Sequence, residues 1–177
     1  MINTSKWQEF IIGDVYQIVE RPQKRSKRQY SSGIVPYIAS GSINNGVDSY
    51  LTPHSSSDIE QGDCLTISPV DASCFYQPKP FLGRGGGGSS IIILRSNFDL
   101  TENQHLFLAS VIRKKLQERY SFNTMGNSHE IKFTKLKLPV SSEKIDFKFM
   151  EEYMDLMARK AVQRIKMLEM LQITSQP

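Results

Sequence analysis

Five cations and no acid fall within residues 21–28: Arg21, Lys24, Arg25, Lys27 and Arg28. Such density serves polyanion binding, because closely spaced Lys and Arg displace the counterions condensed on phosphates. A solvated basic loop accounts for the same run, since the turn-forming stretch Gln29-Tyr30-Ser31-Ser32-Gly33 follows it. Two more cations, Lys79 and Arg84, belong to residues 78–90, where Gly85, Gly86, Gly87 and Gly88 stand in a row. Four successive glycines hold no regular element cheaply, which predicts a flexible loop presenting both cations. Planar side chains that donate and accept hydrogen bonds read base edges. Asn44, Asn45, Arg84, Asn123, Asn127 and His129 sit on polar or flexible turns and are the candidates for that role, and Lys132 joins the basic set. Asn45-Gly46 is also the strongest turn signal in the chain, and turn formation by itself explains this pair.

Catalytic constellations are sparse. Gly83 to Gly88 have the glycine spacing of a phosphate-cradling loop, but Ser89 occupies the lysine position. The β-branched run Ile91-Ile92-Ile93-Leu94 then reads as a strand where that loop requires a helix. No Gly-x-Ser-x-Gly elbow, His-Glu-x-x-His or Asn/Asp-Pro-Pro-Tyr occurs, and the three histidines at 54, 105 and 129 are too scattered to build a metal site. Glu130-Ile131-Lys132 matches half of a metal-dependent nuclease pattern, whose other half is an acid on an adjacent strand. Asp99 lies in a different context and Asp71 farther away. A small nuclease using Glu130 and Lys132 is therefore the alternative to a binding protein. The expected catalytic residues, metals and cofactors are none.

The elements that must position these groups are an α/β body and one long helix. Trp7, Phe10, Ile12, Val15 and Ile18 alternate loosely around Gly13-Asp14, predicting a strand and then a short helix or second strand. Residues 34–39, 64–67, 73–77 and 91–94 read as strands, the second and third forming a hairpin around residues 69–72. Residues 101–120 form an amphipathic helix with Leu106, Phe107, Leu108, Val111, Ile112 and Leu116 inward. Beyond a polar turn at 123–128, Ile131, Phe133, Leu136 and Leu138 alternate with polar residues, slipping at Thr134-Lys135. That predicts one or two short strands with a basic face, ended by Pro139.

The last helix starts near Asp146 as N-cap. Its heptad a and d positions are Phe147, Met150, Met154, Met157, Ala161, Arg164, Leu168 and Leu171, apolar except for Arg164. Running to about residue 172 it spans roughly 40 Å, more than a head of this size needs. A coiled-coil seam with a partner is predicted in preference to packing on its own head, with the methionines giving an adaptable contact. Arg164 then implies a local break, or an acidic partner such as Glu152 or Asp155 on the other helix. A coiled-coil adaptor that binds no DNA is a third reading.

At 177 residues and 39% hydrophobic content the chain supports one core with an appendage, divided as 1–140 and 141–177. The net charge of +4 is mild, so the clustering of cations decides more than their total. No apolar run reaches membrane-span length and the first ten residues have no signal-peptide core, which predicts a cytoplasmic protein with no membrane partner. Cys64 and Cys74 are expected to stay reduced.

Several segments carry a family likeness in order along the chain. They are Trp7-Gln8-Glu9-Phe10-Ile11-Ile12-Gly13-Asp14-Val15, then Val35-Pro36-Tyr37-Ile38 with Asn44-Asn45-Gly46-Val47. Next come Ile59-Glu60-Gln61-Gly62-Asp63 with Leu65-Thr66-Ile67, Phe75-Tyr76-Gln77, Leu136-Lys137-Leu138-Pro139-Val140 and Ile145-Asp146-Phe147-Lys148-Phe149-Met150-Glu151. The ordered set resembles the DNA target-recognition domain of type I restriction–modification specificity subunits, in the form with a single recognition domain and one spacer helix. The resemblance implies a mixed α/β head with a twisted, largely antiparallel sheet, followed by a long coiled-coil helix. It implies a non-catalytic chain that reads one half of a split double-stranded DNA target. It also implies docking to a methyltransferase subunit and a nuclease subunit, and pairing of the helix with a second helix, whether the chain works as a homodimer, as a truncated subunit or as a piece of a larger enzyme. The apolar seam Met150, Met154, Met157, Ala161, Leu168 and Leu171 by itself predicts a homodimer. Recognition loops vary across this family, so no base-contacting residue carries over. The DNA-binding candidates rest on residue chemistry alone.

Overall fold

The N-terminal alternation resolves into strand β1 (Gln8–Ile11), a single helical turn α1 (Ile12–Val15) and strand β2 (Ile18–Glu20). Asp14 Oδ2 accepts the Ile11 N–H at 2.9 Å, so the Gly13-Asp14 signal marks a helix start. The computed structural model describes residues 2–23, 25–87, 89–118 and 127–174. Seven strands follow: β3 (Ser32–Ile38), β4 (Val47–Leu51), β5 (Ile59–Glu60), β6 (Cys64–Ile67), β7 (Cys74–Gln77), β8 (Phe81–Gly83) and β9 (Ile92–Arg95). Then come α2 (Glu102–Gln117), α3 (Ser128–Lys132), β10 (Lys135–Leu138), β11 (Val140–Ser141), β12 (Lys144–Ile145) and α4 (Phe147–Thr174).

The strands form two four-stranded sheets. One, ordered β2-β9-β6-β7, is antiparallel throughout; the other, β4-β3-β8-β5, contains one parallel pair, β3 with β8. Two ribbons, β1 with β10 and β11 with β12, complete the set. The run Ile91-Ile92-Ile93-Leu94 is apolar without a break because both faces of β9 are covered. Ile92 and Leu94 join Leu65, Ile67, Leu108 and Ile112 beneath α2, while Ile91 and Ile93, with Cys64 of β6, meet Ile38 and Phe81 of the second sheet. Each such buried side chain contributes about 1.5–3 kcal/mol.

Thr101 begins α2 as expected. Its Oγ1 accepts the Gln104 N–H and Gln104 Oε1 accepts the Thr101 N–H, a reciprocal cap. The buried face runs through His105, Phe107, Leu108, Ala109, Ile112 and Leu116, so Leu106 turns outward. Both cysteines are free and buried, and burial raises the Cys64 thiol to about 12.

His105 pins α2 to the first sheet. Tyr16 Oη lies 2.9 Å from its Nδ1, Asp63 Oδ1 lies 3.3 Å from its Nε2, and the Tyr76 ring stacks on it at 4.7 Å. The buried tyrosine hydroxyl, whose pKa burial raises, donates to Nδ1, which leaves the imidazole proton on Nε2 toward Asp63. Burial lowers the His105 pKa, with Asp63 acting in the opposite sense. The unfolded imidazole titrates near 6.5, so below about pH 6.5 the unfolded chain takes the proton first. Stability is therefore full above that pH and declines as pH falls toward the lowered folded value. The urea midpoint should drop across this window, and His105→Gln should remove the His-dependent part of the slope. Equal slopes in the two proteins would refute the assignment.

The stretch 131–133 departs from the strand expectation. Asn127 Oδ1 accepts the Glu130 N–H at 2.8 Å and starts α3, which buries Ile131 and leaves Phe133 55% exposed. The slip at Thr134-Lys135 is where helix becomes strand, and only Lys135–Leu138 carries the period-two burial.

Asp146 caps α4, its Oδ1 accepting the Phe149 N–H at 2.9 Å. The seam expectation is corrected at this end. Met150 is 0% exposed in the core of the head itself, with Phe147, Phe149, Tyr153 and Met154 packed beside it. Asn103 of α2 donates to both Glu151 and Asp155, and Thr101 bonds Glu151. From Ala158 to Leu171 every residue of α4 is exposed. Among the described residues no helix is long and apolar enough to cross a membrane.

Candidate nucleic-acid interface

The basic run and the glycine loop, some sixty residues apart in sequence, form the two walls of one open groove of about 470 Å³. Arg25, Ser26, Lys27, Arg28 and Gln29 line one side, Arg84, Gly85 and Gly86 the other, with Tyr37, Ala39 and Asp48 between. The cationic side chains Lys27, Arg28 and Arg84 on its walls are of the kind that phosphates attract.

Arg25 builds the groove from beneath and is a correction to the basic cluster. Its side chain is only 4% exposed; Nη1 meets Glu60 Oε1 at 2.5 Å, Nε lies 3.8 Å from Asp58 Oδ1, and Nη2 donates to Ser57 O at 3.1 Å. A guanidinium held this way does not reach a phosphate. It ties residues 25–29 to β5, and its backbone bridges that of Gly85. A Cβ on Gly85 would stand 1.7 Å from Gln23 O, so only glycine lets the two walls touch. The glycine run thus begins as a seated strand contact, where the sequence suggested a flexible loop. Arg84 is held by backbone bonds, its N–H donating to Ile38 O and its carbonyl accepting from Ile91.

Lys27 and Arg28 begin a 3₁₀ turn, Lys27–Gln29, and both are exposed. Lys27 Nζ sits 2.8 Å from Asp48 Oδ2, and that bond, first among its causes, lowers the Asp48 pKa. Asp48 was invisible as a site residue in the sequence. It lies at a register shift in which Tyr37 faces Ser49 and Ile38 faces Val47, leaving Asp48 as the extra residue of a β-bulge aimed at Lys27. Tyr37 is buried behind it, donating to Arg25 O at 3.2 Å.

The other candidates are dispersed. Arg21 is half-buried and donates to Ser90 O at 2.8 Å. Asn44 and Asn45 have φ of 50° and 53°, the left-handed region their turn demands. The Asn44 amide donates to Val47 O, and that of Asn45 to Tyr76 O and Gln77 Oε1, so both serve the turn and its anchorage on β7. Lys79 is exposed at the β7–β8 turn, outside the groove. Asn127 caps α3, His129 leans on Phe133 at 5.0 Å, and the Lys132 stem covers Gly13, forming a separate patch. Lys24 and Asn123 lie outside the described residues. Glu130 and Lys132 stand two apart on α3, so they do not share a face as strand-borne metal-site residues would. Among the described residues no group of three His, Cys, Asp or Glu is placed to hold a metal.

A family model described as type I restriction modification DNA specificity domain matches residues 4–170. The chain is 24% identical over 156 residues to the specificity subunit S.BcgI of a type II restriction enzyme from Heyndrickxia coagulans, covering 86% of this chain and 44% of that one. Its fold resembles the S subunit of a type I restriction–modification system from M. genitalium, with a TM-score of 0.60, 15% identity and coverage of 96% of this chain and 44% of that one. It also resembles the HsdS subunit from Thermoanaerobacter tengcongensis, with a TM-score of 0.62, 12% identity and coverage of 92% and 40%. The chain thus spans less than half the length of these relatives.

Proposed function

This chain belongs to the type I restriction modification DNA specificity domain family, and from that premise we propose that its head is a non-catalytic reader of one half of a split DNA target. The observation that carries the proposal is the groove: Lys27, Arg28 and Arg84, from segments far apart in sequence, converge on one surface held from beneath by Arg25. Phosphate contacts there position the duplex, and exposed side chains at the rim read it. Asp48 occupies Lys27 until a phosphate replaces it. The reader works on cytoplasmic DNA.

The experiment is a salt titration of duplex binding. Lys27→Gln, Arg28→Gln and Arg84→Gln together should weaken binding to all sequences alike and flatten the log–log salt slope by about 2.7, at 0.9 per contact. Asp48→Asn should tighten binding to any duplex. An unchanged slope in the triple variant would sink the groove as the phosphate site.

The recognition unit of residues 1–140 is completed by a second unit, residues 141–177, which contains α4, and the projecting part of α4 is the partner surface. A second copy of this chain covers it, placing two heads at two half-sites, and the assembled pair docks a methyltransferase subunit and a nuclease subunit. The exposure of Val162, Ile165, Met167 and Leu168 supports this assignment.

A further inference from the structure

The turn that carries Lys27 and Arg28 closes on itself. The Gln29 N–H donates to Ser26 O and the Tyr30 N–H to Lys27 O, while Gln29 Oε1 accepts the Ser26 N–H at 3.0 Å. Those bonds fix the shape of the turn but not its place on the head. Arg25 ties the start of the turn to Ser57 and Glu60. The end is held by His54. Its Nε2 lies 2.8 Å from Gln29 O, and because a carbonyl oxygen only accepts, Nε2 carries the proton and donates. Its ring stacks on Tyr30, with centroids 4.6 Å apart and planes at 25°. Tyr30 in turn packs against the buried cluster of Tyr37, Leu51 and Leu82. Both attachments of His54 thus fall on the two residues that follow Arg28.

His54 is itself anchored. Its N–H donates to Asp58 Oδ2 at 2.9 Å, and the other oxygen of that carboxylate faces Arg25 Nε at 3.8 Å. Thr52, two residues earlier, donates its N–H to Ser31 O and its Oγ1–H to Ser32 O. Residues 52–58 are therefore a strap along residues 25–32, gripping Arg25 at one end, Ser31 and Ser32 at the other, and Gln29 and Tyr30 between. We propose that His54 is a positioning residue for duplex binding: by gripping Gln29 and Tyr30 it holds Lys27 and Arg28 where phosphates meet them. This inference rests on the DNA-reading assignment above and adds a residue, outside the groove wall, on which that wall depends. The Lys27–Asp48 pair does not hold the turn in its stead, because its side chains are 52% and 44% exposed and such pairs contribute little.

The test compares the full chain with His54→Phe, which keeps a ring over Tyr30 and loses the donor, and His54→Gln, whose amide nitrogen reaches as far as Nε2 and restores it. Without DNA, the Lys27 bond holds the Asp48 carboxyl below its ordinary range, so carbon-13 NMR titration of Asp48 reports whether Lys27 is in place. The Asp48 pKa should rise in His54→Phe and stay low in His54→Gln. With DNA, His54→Phe should weaken binding to all duplexes alike by about fivefold, the contribution of one hydrogen bond, and His54→Gln should bind as the wild type does. In a Lys27→Gln, Arg28→Gln background, His54→Phe should weaken binding no further. His54 is exposed, so both variants should melt as the wild type does, and any loss of fold would show equally in that background. An Asp48 titration unchanged in His54→Phe, or an equal loss in the background, overturns the positioning role while the DNA assignment stands. If the Lys27→Gln, Arg28→Gln variant itself keeps the wild-type salt slope, the groove is not the phosphate site, and this proposal falls with that assignment.

Discussion

Arg25→Ala should destabilise the head by about 3–5 kcal/mol, because removing one partner of a buried ion pair leaves the other charges without compensation. Glu60 and Asp58 are themselves largely buried, at 18% and 19% side-chain exposure, and neither regains full hydration when the guanidinium goes. For a chain of this length the melting temperature should fall by about 6–20 °C. Arg25→Lys should recover little, since a single ammonium cannot serve Glu60, Asp58 and the Ser57 carbonyl at once. Arg28→Ala, three residues away and exposed, should leave the melt within about 0.5 kcal/mol of wild type. Thermal melts of the three variants decide the matter. Were Arg25→Ala to melt like wild type and lose one unit of salt slope, it would be a phosphate contact after all.

Ile165→Glu with Leu168→Glu should convert a dimer into a monomer with an intact head, weakening association a hundredfold or more, since two buried carboxylates cost several kcal/mol. The reason lies in how α4 divides. Its first turns bury Met150 and pack Met154 against the head, and Met157 is half-buried, whereas Ile165 and Leu168 are 55% and 62% exposed. The strict heptad lands on Arg164, but the stripe actually carried by the helix runs Met154, Met157, Ala161, Ile165, Leu168. Its spacing of three, four, four and three is locally an eleven-residue repeat, so paired helices should coil with a slight right-handed twist at this point. Arg164 then flanks the stripe and needs no acid from a partner. Glu152 and Asp155 are in any case engaged within the chain, with Lys148 at 3.7 Å and with Arg159 at 3.9 Å. Met150→Glu is the informative contrast: it should unfold the head. Sedimentation and far-UV melts separate the two classes of variant. A wild-type monomer in the ultracentrifuge would assign the stripe to another chain of the complex.

Local chemistry was legible in the sequence wherever neighbours in the chain supply the cause. Thr101 and Asp146 cap helices because their partners, Gln104 and Phe149, stand three residues on. Asn44 and Asn45 turn the chain because their own backbone enters the left-handed region. The β-branched run ending at Leu94 announced a strand, and the density of cations in residues 21–28 marked a segment that contributes Lys27 and Arg28 to the groove. What the sequence did not contain was the burial of any one of those cations. Arg25 and Arg28 are the same residue type three positions apart. The first became a strut because Glu60, 35 residues away, arrives beside it through the pairing of β5 with β8. Asp48 entered the groove through a bulge that no residue pattern marks, and His54 met Gln29 because the pairing of β4 with β3 brings the end of one beside the start of the other. Residues 131–133 carried a strand's alternation but folded as a helix end, since the Asn127 cap and the single inward side chain of Ile131 satisfied more than a strand pairing would have. Met150 was read as a partner's contact and proved to belong to the head because α2 lies across the start of α4. Propensity and capping act over three or four residues, whereas burial and charge compensation depend on which distant segment the topology delivers to the same place.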